Sequence, residues 1–524
     1  MPATTFNLAD LFEAAVDEWP DRDYIVDDRT RRTFAELDER ANRLAHYLQA
    51  QGVKAGDHVG IYALNRVEWV ESLWAIFKIR AVWVNINYRY VEDELSYLFA
   101  NADLSYLIVE EEFAERARTV APDLPRLIIG DDYESALANQ SPERDFASRS
   151  DDDIYILFTG GTTGMPKGVV WRHADVVMAL GGGIDIMTGV KLTSPDGFVE
   201  KGRVGFPIIS YPLPPLMHGA SQWSVMGQSF VGNKVILRGK FDPADVWKTV
   251  ESEKANLVMI TGDAMARPLL DYISEHAAEH DVTSLFAVVS SAVLFSQSCK
   301  EQFMELFPNI MISDSIGSSE GGANGIVRVD KDSQMKGGPT VTAARDTFVL
   351  GEDLMPVKPG KMGRLARAGN IPLRYHKDPE KSAATFMTSP DGTRYAVPGD
   401  FARLELDGTI TLIGRGSVCI NSGGEKIFPE EVENSLKSHP EVFDAVVVGV
   451  PDDRWGERVT AVVQARAGTT PTLESIQEHC RLHVAGYKVP RQLTLVALMV
   501  RSPAGKSDYR WAKQQAMVDA GLEG

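Results

Sequence analysis

The sequence predicts an α/β protein: a large N-terminal domain of helix-covered sheets followed by a small α+β C-terminal domain. Three observations carry this. Strand-like and helix-like patterns alternate through residue 330, as expected of sheets covered by helices. Apolar and polar residues then alternate on both sides of Asp407-Gly408, a hairpin signal. After Arg415 comes a compact unit of about a hundred residues, with strand-like runs at 445–450, 459–465 and 493–498 and helical segments at 430–438 and 473–485. The expected domains are therefore 1–415 and 416–524.

The individual elements follow from local pattern. Leu8, Leu11, Phe12, Ala15 and Val16 fall on one helical face, and Pro20 closes that segment. Thr33 and Glu36 form a capping-box pattern before Leu37, Ala41, Leu44 and Leu48, with Gly52 as the stop. A strand is expected at 59–63. Asn65 reads as the N-cap of a helix running to Ile79, with Glu68 at its third position. A second apolar run follows at 82–86. Segments 154–159, 285–290 and 310–313 read as buried strands, and the polar stretch 134–153 as a surface connection.

Composition excludes several classes. A net charge of −19 gives no general attraction to a polyanion, so nucleic acid is not expected as a partner. The three cysteines, Cys299, Cys419 and Cys480, are scattered and form no CxxC pair, which argues against a disulfide framework or a zinc site. No signal-peptide pattern opens the chain, and no apolar run reaches the roughly 18 residues of a membrane span. A cytoplasmic protein is the expectation, with peripheral membrane contact and a homodimer both left open.

The most informative string is Thr159-Gly160-Gly161-Thr162-Thr163-Gly164-Met165-Pro166-Lys167-Gly168, directly after an expected strand. Glycines let backbone N–H groups curl around an anion, threonine hydroxyls add donors, and Lys167 adds charge. That density of donors suits a polyphosphate. A Gly/Thr-rich surface turn explains three such residues better than it explains ten. The string lacks the Gly-x4-Gly-Lys-Ser/Thr of an ordinary P-loop. It resembles the signature loop of the adenylate-forming superfamily: acyl-CoA synthetases, luciferases and the adenylation domains of peptide synthetases.

Further motifs appear in that family's order. Ser315-Ile316-Gly317-Ser318-Ser319-Glu320 resembles its Tyr-Gly-x-Thr-Glu segment, with Ile316 where tyrosine is usual and Ser319 in place of threonine. The resemblance implies that Glu320, with Thr162, holds Mg2+, a hard ion suited to oxygen ligands. Asp400 matches an aspartate that accepts both ribose hydroxyls, and Arg415 a residue on ribose or phosphate. Ser422-Gly423-Gly424 resembles part of a tunnel for the CoA arm. The hinge position falls on Ser417, where aspartate or lysine is usual. Pro503-Ala504-Gly505-Lys506 resembles the C-terminal Gly-Lys motif, whose lysine serves adenylation. His218 stands where the family has an active-site histidine. Alone, each of these residues would read as a solvated charge, a turn or a packed histidine. Trp171-Arg172-His173 reads as scaffold or pocket wall.

The resemblance implies an AMP-forming ligase that activates a carboxylic acid as acyl-AMP and transfers it to CoA, using ATP, Mg2+ and CoA. It also implies a mobile C-terminal domain that rotates between the two steps. Lys506, His218 and Glu320 are the expected catalytic residues. Thr159, Gly160, Gly161, Thr162, Thr163, Gly164, Lys167, Ser315, Ile316, Gly317, Ser319, Asp400, Arg415 and Lys506 would bind ATP and AMP. Gly219, Trp223, Ser291, Ala292 and Ser318 would line the acyl pocket. Small residues there, and Gly181-Gly182-Gly183, would leave room for a medium-chain, long-chain or bulky acid. The stretch 191–205 reads as an extra loop over the site. The strings 159–172, 314–320 and 415–433 look most like actinobacterial fatty-acyl-CoA ligases, including steroid side-chain activators. Two other readings stay open: an acyl-AMP ligase that loads a carrier protein, and an adenylate-binding sensor without turnover.

Overall fold

A computed structural model describes residues 3–161, 164–291, 295–329, 340–422, 425–452, 454–501 and 506–522. It is a mixed α/β structure with a large N-terminal and a smaller C-terminal domain. The element that positions the site is a run of four parallel strands, Ile209–Pro212, Leu257–Ile260, Ala287–Ser291 and Met311–Ser318. They sit at the centre of a 15-stranded sheet. Their Val and Ile runs are buried on both faces, as a parallel sheet covered by helices requires. On one flank the sheet continues through Lys234–Ile236 to Asp23–Val26 and Arg31–Thr33. On the other it turns antiparallel at Gly322–Val329 and continues through Thr340–Ala343 to the hairpin Asp400–Leu404/Ile410–Arg415. Gly408, at φ 84°, takes the left-handed position of that hairpin's turn.

Two smaller sheets complete the N-terminal domain. One is parallel, in the order Val82–Asn85, His58–Tyr62, Leu104–Glu110, Arg126–Ile129. The other joins Ile154–Gly161, Gly164–Arg172 and Arg374–Tyr375, and it carries the Gly/Thr-rich loop. The first helix, Leu8–Glu18, buries all five of its predicted apolar positions. The helix Phe34–Ala50 opens on the Thr33/Glu36 capping box.

The C-terminal domain has its own sheet: Glu425–Ile427, Ile420–Ser422, Gly456–Ala465 and Val442–Asp452, with Gln492–Val496 beside Gly456–Ala465. Helices Pro429–Lys437 and Leu473–His483 share one apolar cluster with the sheet, and Tyr509–Asp519 shares another. Alternate residues of Val442–Asp452 enter the two clusters, the period of two expected of a strand covered on both faces. No helix among the described residues is long and apolar enough to cross a membrane.

Three sequence expectations are corrected. Asn65 does not cap the next helix. That helix, Val67–Lys78, starts after Arg66, and the Asp27 carboxylate accepts from the Val67 N–H at 3.0 Å. Asn65 instead bridges to the Pro214 carbonyl and the Leu216 N–H. Within 134–153 the first residues belong to the helix Asp131–Ala138. The rest is held by ion pairs of Arg144 to Asp17 and Asp38 and of Arg149 to Asp10 and Glu13. The stretch 191–205 contains the helix Gly197–Val204. It packs on helices Leu8–Glu18 and Gly219–Phe230, with Gly202 against the Trp19 ring, rather than lying over the site as a loop.

His173 links the first helix to this framework. Its Nδ1 accepts from the Leu8 N–H at 3.3 Å, and burial pushes its pKa down from 6.5 to about 4. The folded state therefore holds His173 neutral, while the unfolded chain takes up a proton below pH 6.5. Stability from this group is fully present above pH 6.5 and declines as pH falls towards 4. The loss expected is about 3 kcal/mol. Chemical unfolding at stepped pH should show that slope, and His173→Gln should flatten it.

Candidate active site

The carboxyl ends of the four parallel strands open on one edge of the sheet, where α/β folds place their ligands. Ile209–Pro212 releases the segment 213–218, Leu257–Ile260 ends before Gly262, Ala287–Ser291 ends at Ser291, and Met311–Ser318 runs into the Ser319-Glu320 turn. His218, Ser291 and the 315–320 string thus share one edge although they are far apart in sequence. Ser291 and Ser315 are register partners, and the Ser315 hydroxyl donates to the Ser290 carbonyl.

Two buried asparagines fasten the surrounding loops. The Asn85 amide donates to the Phe158 carbonyl at 2.7 Å and the Met217 carbonyl at 2.8 Å, and its oxygen accepts from the Phe158 N–H. It therefore ties the strand that feeds the Gly/Thr loop to the residue before His218. Asn65 pins Pro214 and Leu216 on the same loop. Gln222 accepts from the Tyr155 hydroxyl and donates to the Leu216 carbonyl. Sequence reasoning assigned none of these roles, because a lone Asn or Gln gives no periodic signal. The one clue is an amide inside an apolar run, as at Asn85 in Val82–Ile86.

His218 sits at the N-terminus of helix Gly219–Phe230 and is half-buried. Burial pushes its pKa down to about 3, and the charges of Lys506 and Arg89 push the same way. The imidazole is neutral at physiological pH. Its Nε2 and the Ser291 hydroxyl are buried with no hydrogen-bond partner among the described residues, a state that native interiors reserve for a ligand, water or functional site. The charge of Lys506, from the C-terminal domain, is among the causes that lower the His218 pKa. Five residues before Lys506, the Arg501 guanidinium grips Asp444 with two 2.6 Å hydrogen bonds.

Glu320 and Lys167 approach through Tyr375. The Tyr375 hydroxyl donates to the Glu320 carboxylate at 2.8 Å, and the Lys167 ammonium lies 5.9 Å from the centre of the Tyr375 ring. Lys167 also stands 3.7 Å from Asp378. The Trp171 indole N–H donates to the Ser319 carbonyl at 3.1 Å. Asp400 and Arg415 are paired in register across their hairpin. Thr159, Gly160, Gly161 and Gly164 lie on the strands flanking the loop tip. The Ser422 hydroxyl is buried. Thr162, Thr163, Ala292, Gly423 and Gly424 lie outside the described residues, as does the 502–505 stretch before Lys506.

Glycine has a different use here from the room expected of it. An added Cβ on Gly219 would stand 2.7 Å from Leu157, on Gly181 3.2 Å from Trp223, and on Gly183 2.7 Å from the Met178 sulfur. These glycines bring backbone close to neighbours rather than opening space. Gly317 is the sharpest case. Its Cβ would meet the Gly322 carbonyl oxygen at 2.6 Å, across the bulge between Met311–Ser318 and Gly322–Val329. Gly317→Ala must push these strands apart and move Glu320, so turnover at saturating substrate should fall about a hundredfold. Steady-state kinetics alongside an unchanged circular dichroism spectrum would check it.

Comparison with known proteins agrees with this architecture. The AMP-binding enzyme family model matches residues 12–374, and the AMP-binding enzyme C-terminal domain matches 431–506. A 3-oxocholest-4-en-26-oate--CoA ligase of Rhodococcus rhodochrous is 50% identical, over 97% of this chain and 96% of that protein. A medium/long-chain-fatty-acid--CoA/3-oxocholest-4-en-26-oate--CoA ligase of Mycolicibacterium smegmatis is also 50% identical, with the same coverage of each chain. A crystal structure of an anthranilate CoA ligase in complex with anthranoyl-AMP superposes with a TM-score of 0.87 at 22% identity, covering 100% of this chain and 99% of that one. A Mycobacterium tuberculosis fatty acyl CoA synthetase gives 0.72 at 22% identity, with 99% of each chain covered. These two structures share the fold; the family is shown by the two domain matches in order and by relatives of full length. On that evidence the chain is a member of the AMP-binding enzyme family.

Proposed function

We propose that the protein is an AMP-forming acid–thiol ligase. It joins a carboxylic acid to ATP as acyl-AMP, releasing pyrophosphate, and then passes the acyl group to CoA, releasing AMP. The acid is a medium- or long-chain fatty acid or a bulky one such as a steroid side-chain acid, the classes named for the two relatives of 50% identity. The observation that carries the reading is the full-length likeness, at 50% identity, to two acid–CoA ligases, with both AMP-binding domain matches in order.

A carboxylate is a poor acyl donor because oxide is a poor leaving group. Attack of its oxygen on the α-phosphate makes a mixed anhydride from which AMP leaves readily. The transition state gathers negative charge at that phosphorus, and a fixed cation there lowers the barrier; Lys506 takes this role. Backbone N–H groups of 159–164 and the Lys167 ammonium hold the phosphates, with Thr162 and Thr163 hydroxyls. Asp400 accepts the ribose hydroxyls, and Arg415 binds ribose or phosphate. Ser315, Ile316, Gly317 and Ser319 line the adenine side, Ile316 by apolar contact. Neutral His218 orients the carboxylate without a competing charge. Glu320 and Thr162 are hard oxygen donors that fit Mg2+, which would neutralise phosphate charge.

Gly219, Trp223, Ser291, Ala292 and Ser318 form the acyl wall, and Ser422, Gly423 and Gly424 take the CoA arm. The domains divide as 1–415 and 416–524, with Ser417 as the hinge and the C-terminal domain turning between steps. A cytoplasmic location fits the cofactors and the three scattered cysteines. The test is pyrophosphate release with ATP and Mg2+ over a panel from acetate to long-chain, aryl and steroid side-chain acids, with and without CoA. CoA-dependent turnover giving the thioester by mass supports the reading. One equivalent of pyrophosphate unaffected by CoA points to a carrier-protein acceptor, and no release with any acid withdraws the ligase.

A further inference from the structure

Away from the strand edge, three loops converge on a second cluster that the ligase chemistry does not use. His58 opens the strand His58–Tyr62, Asp103 occupies the turn between helix Glu92–Asn101 and strand Leu104–Glu110, and His376 follows the strand Arg374–Tyr375. One ligand atom from each lies within 4.8 Å of the others. The two imidazole rings are 5.3 Å apart. From this geometry we propose a binding site for a borderline-soft divalent cation of the zinc type, held by His58, Asp103 and His376.

The hydrogen bonds prepare the ligands for this. Nδ1 of His58 bonds the Ala102 carbonyl, so the proton sits on Nδ1 and Nε2 keeps the lone pair a metal requires. A backbone carbonyl fixing the other ring nitrogen is the usual support of a metal-binding histidine. Nε2 of His376 is buried without a hydrogen-bond partner among the described residues and stands 3.5 Å from Asp103. That separation from the carboxylate is too long for a good hydrogen bond, and a metal ion between the two would satisfy both. Asp103 is half-exposed, which leaves an entry path. Ligands bound at 2.0–2.1 Å in a tetrahedron stand roughly 3.3 Å apart, so the cluster closes by about an ångström on binding. Two imidazoles and one carboxylate select Zn2+ or Co2+ over Mg2+ and Ca2+.

One feature opposes the metal. The Lys377 ammonium also pairs with Asp103, through Oδ1, while Oδ2 faces His376. A cation beside the site weakens a dication, so removing it should tighten binding. The site also touches the catalytic region. The His376 backbone N–H donates to the Gly168 carbonyl at 2.7 Å, at the end of the Gly/Thr string, and the neighbouring Tyr375 hydroxyl donates to Glu320. An ion here would clamp the Arg374–Tyr375 strand to the rim of the parallel sheet.

The experiment is a Co2+ titration of tag-free full-length protein, followed by visible d–d absorption and by the thermal unfolding midpoint. One equivalent should bind, with tetrahedral bands bleached by Zn2+ and not by Mg2+, and the midpoint should rise. His58→Gln and His376→Gln should each weaken binding by at least about tenfold. Asp103→Asn should weaken it too, and asparagine tolerates the φ of 49° at that position. Lys377→Asn, at φ 52°, should tighten it several-fold. His479→Gln should change nothing; it controls for the His439, His479 and His483 group of the C-terminal domain. Absence of bands in the wild type, equal affinity in the His58 and Lys377 variants, or bands lost in His479→Gln would each overturn the site. Lys377→Asn keeps the test decisive should a histidine variant fail to fold.

Discussion

Lys506→Ala is expected to lower acyl-AMP formation by about 10²–10³ while leaving conversion of supplied acyl-AMP and CoA to thioester within a few-fold of wild type. The difference follows from where negative charge develops. In the first half-reaction the leaving pyrophosphate and the α-phosphate both gather negative charge, and a cation fixed before the reaction costs no reorganisation when that charge develops. In the second, AMP is already the leaving group and the thiol is the nucleophile. The C-terminal Gly-Lys motif resembles the one whose lysine serves adenylation, so the Lys506 ammonium is assigned to the first step. Single-turnover assays of the two half-reactions separate them. Equal loss in both would mean that Lys506 supports the fold or the ligand generally, and the two-step division of the C-terminal domain would fall. Lys506→Arg should recover little, because a planar guanidinium does not occupy the position of a point-like ammonium.

Much of this was legible in the sequence, for definable reasons. Periodicity read the helices Leu8–Glu18 and Phe34–Ala50 because burial of one face imposes it, and continuous apolar runs marked Ala287–Ser291 and Met311–Ser318; the four-residue strands Ile209–Pro212 and Leu257–Ile260 were too short to stand out. The Asp407-Gly408 turn was legible because only a few residues suit its left-handed position. The misreadings share another cause. Asn65 matched an N-cap by type and position, but capping residues are equally good at pinning a distant loop, and only the tertiary structure decides. The helix Gly197–Val204 has little periodic signal because it covers other helices with just Gly197, Phe198 and Val199 buried. The glycines at 181, 183 and 219 looked like room because sequence gives residue size and not what stands opposite. Tyr375 escaped notice for the same reason. Nothing in its neighbours announces that its hydroxyl reaches Glu320 across 55 positions.

The second large effect concerns the contact that holds Lys506 where it stands. Arg267, on helix Asp263–His276, donates to the Lys437 carbonyl at the end of the C-terminal domain's first helix, at 3.0 Å and in a buried setting. Lys437 in turn faces Asp444 at 3.5 Å, and Asp444 grips Arg501, five residues before Lys506 in sequence. A charged donor on a buried carbonyl contributes about 1.5–3 kcal/mol, enough to bias an orientation of one domain on another by tenfold or more. Asp263, 3.7 Å from Arg267, would be left as an unpaired buried charge by a single substitution. The informative variant is therefore Asp263→Asn with Arg267→Met. Asparagine still accepts from the Ser296 N–H as Asp263 does, and methionine replaces the guanidinium's packing. This pair should slow acyl-AMP formation about tenfold and leave the thioester half-reaction unchanged or faster, because the contact belongs to one orientation only. Combined with Lys506→Ala it should add little, since both act on the same placement of the same cation. Full additivity would show instead that Arg267 acts through stability of the large domain, which a parallel drop in the thermal unfolding midpoint would confirm.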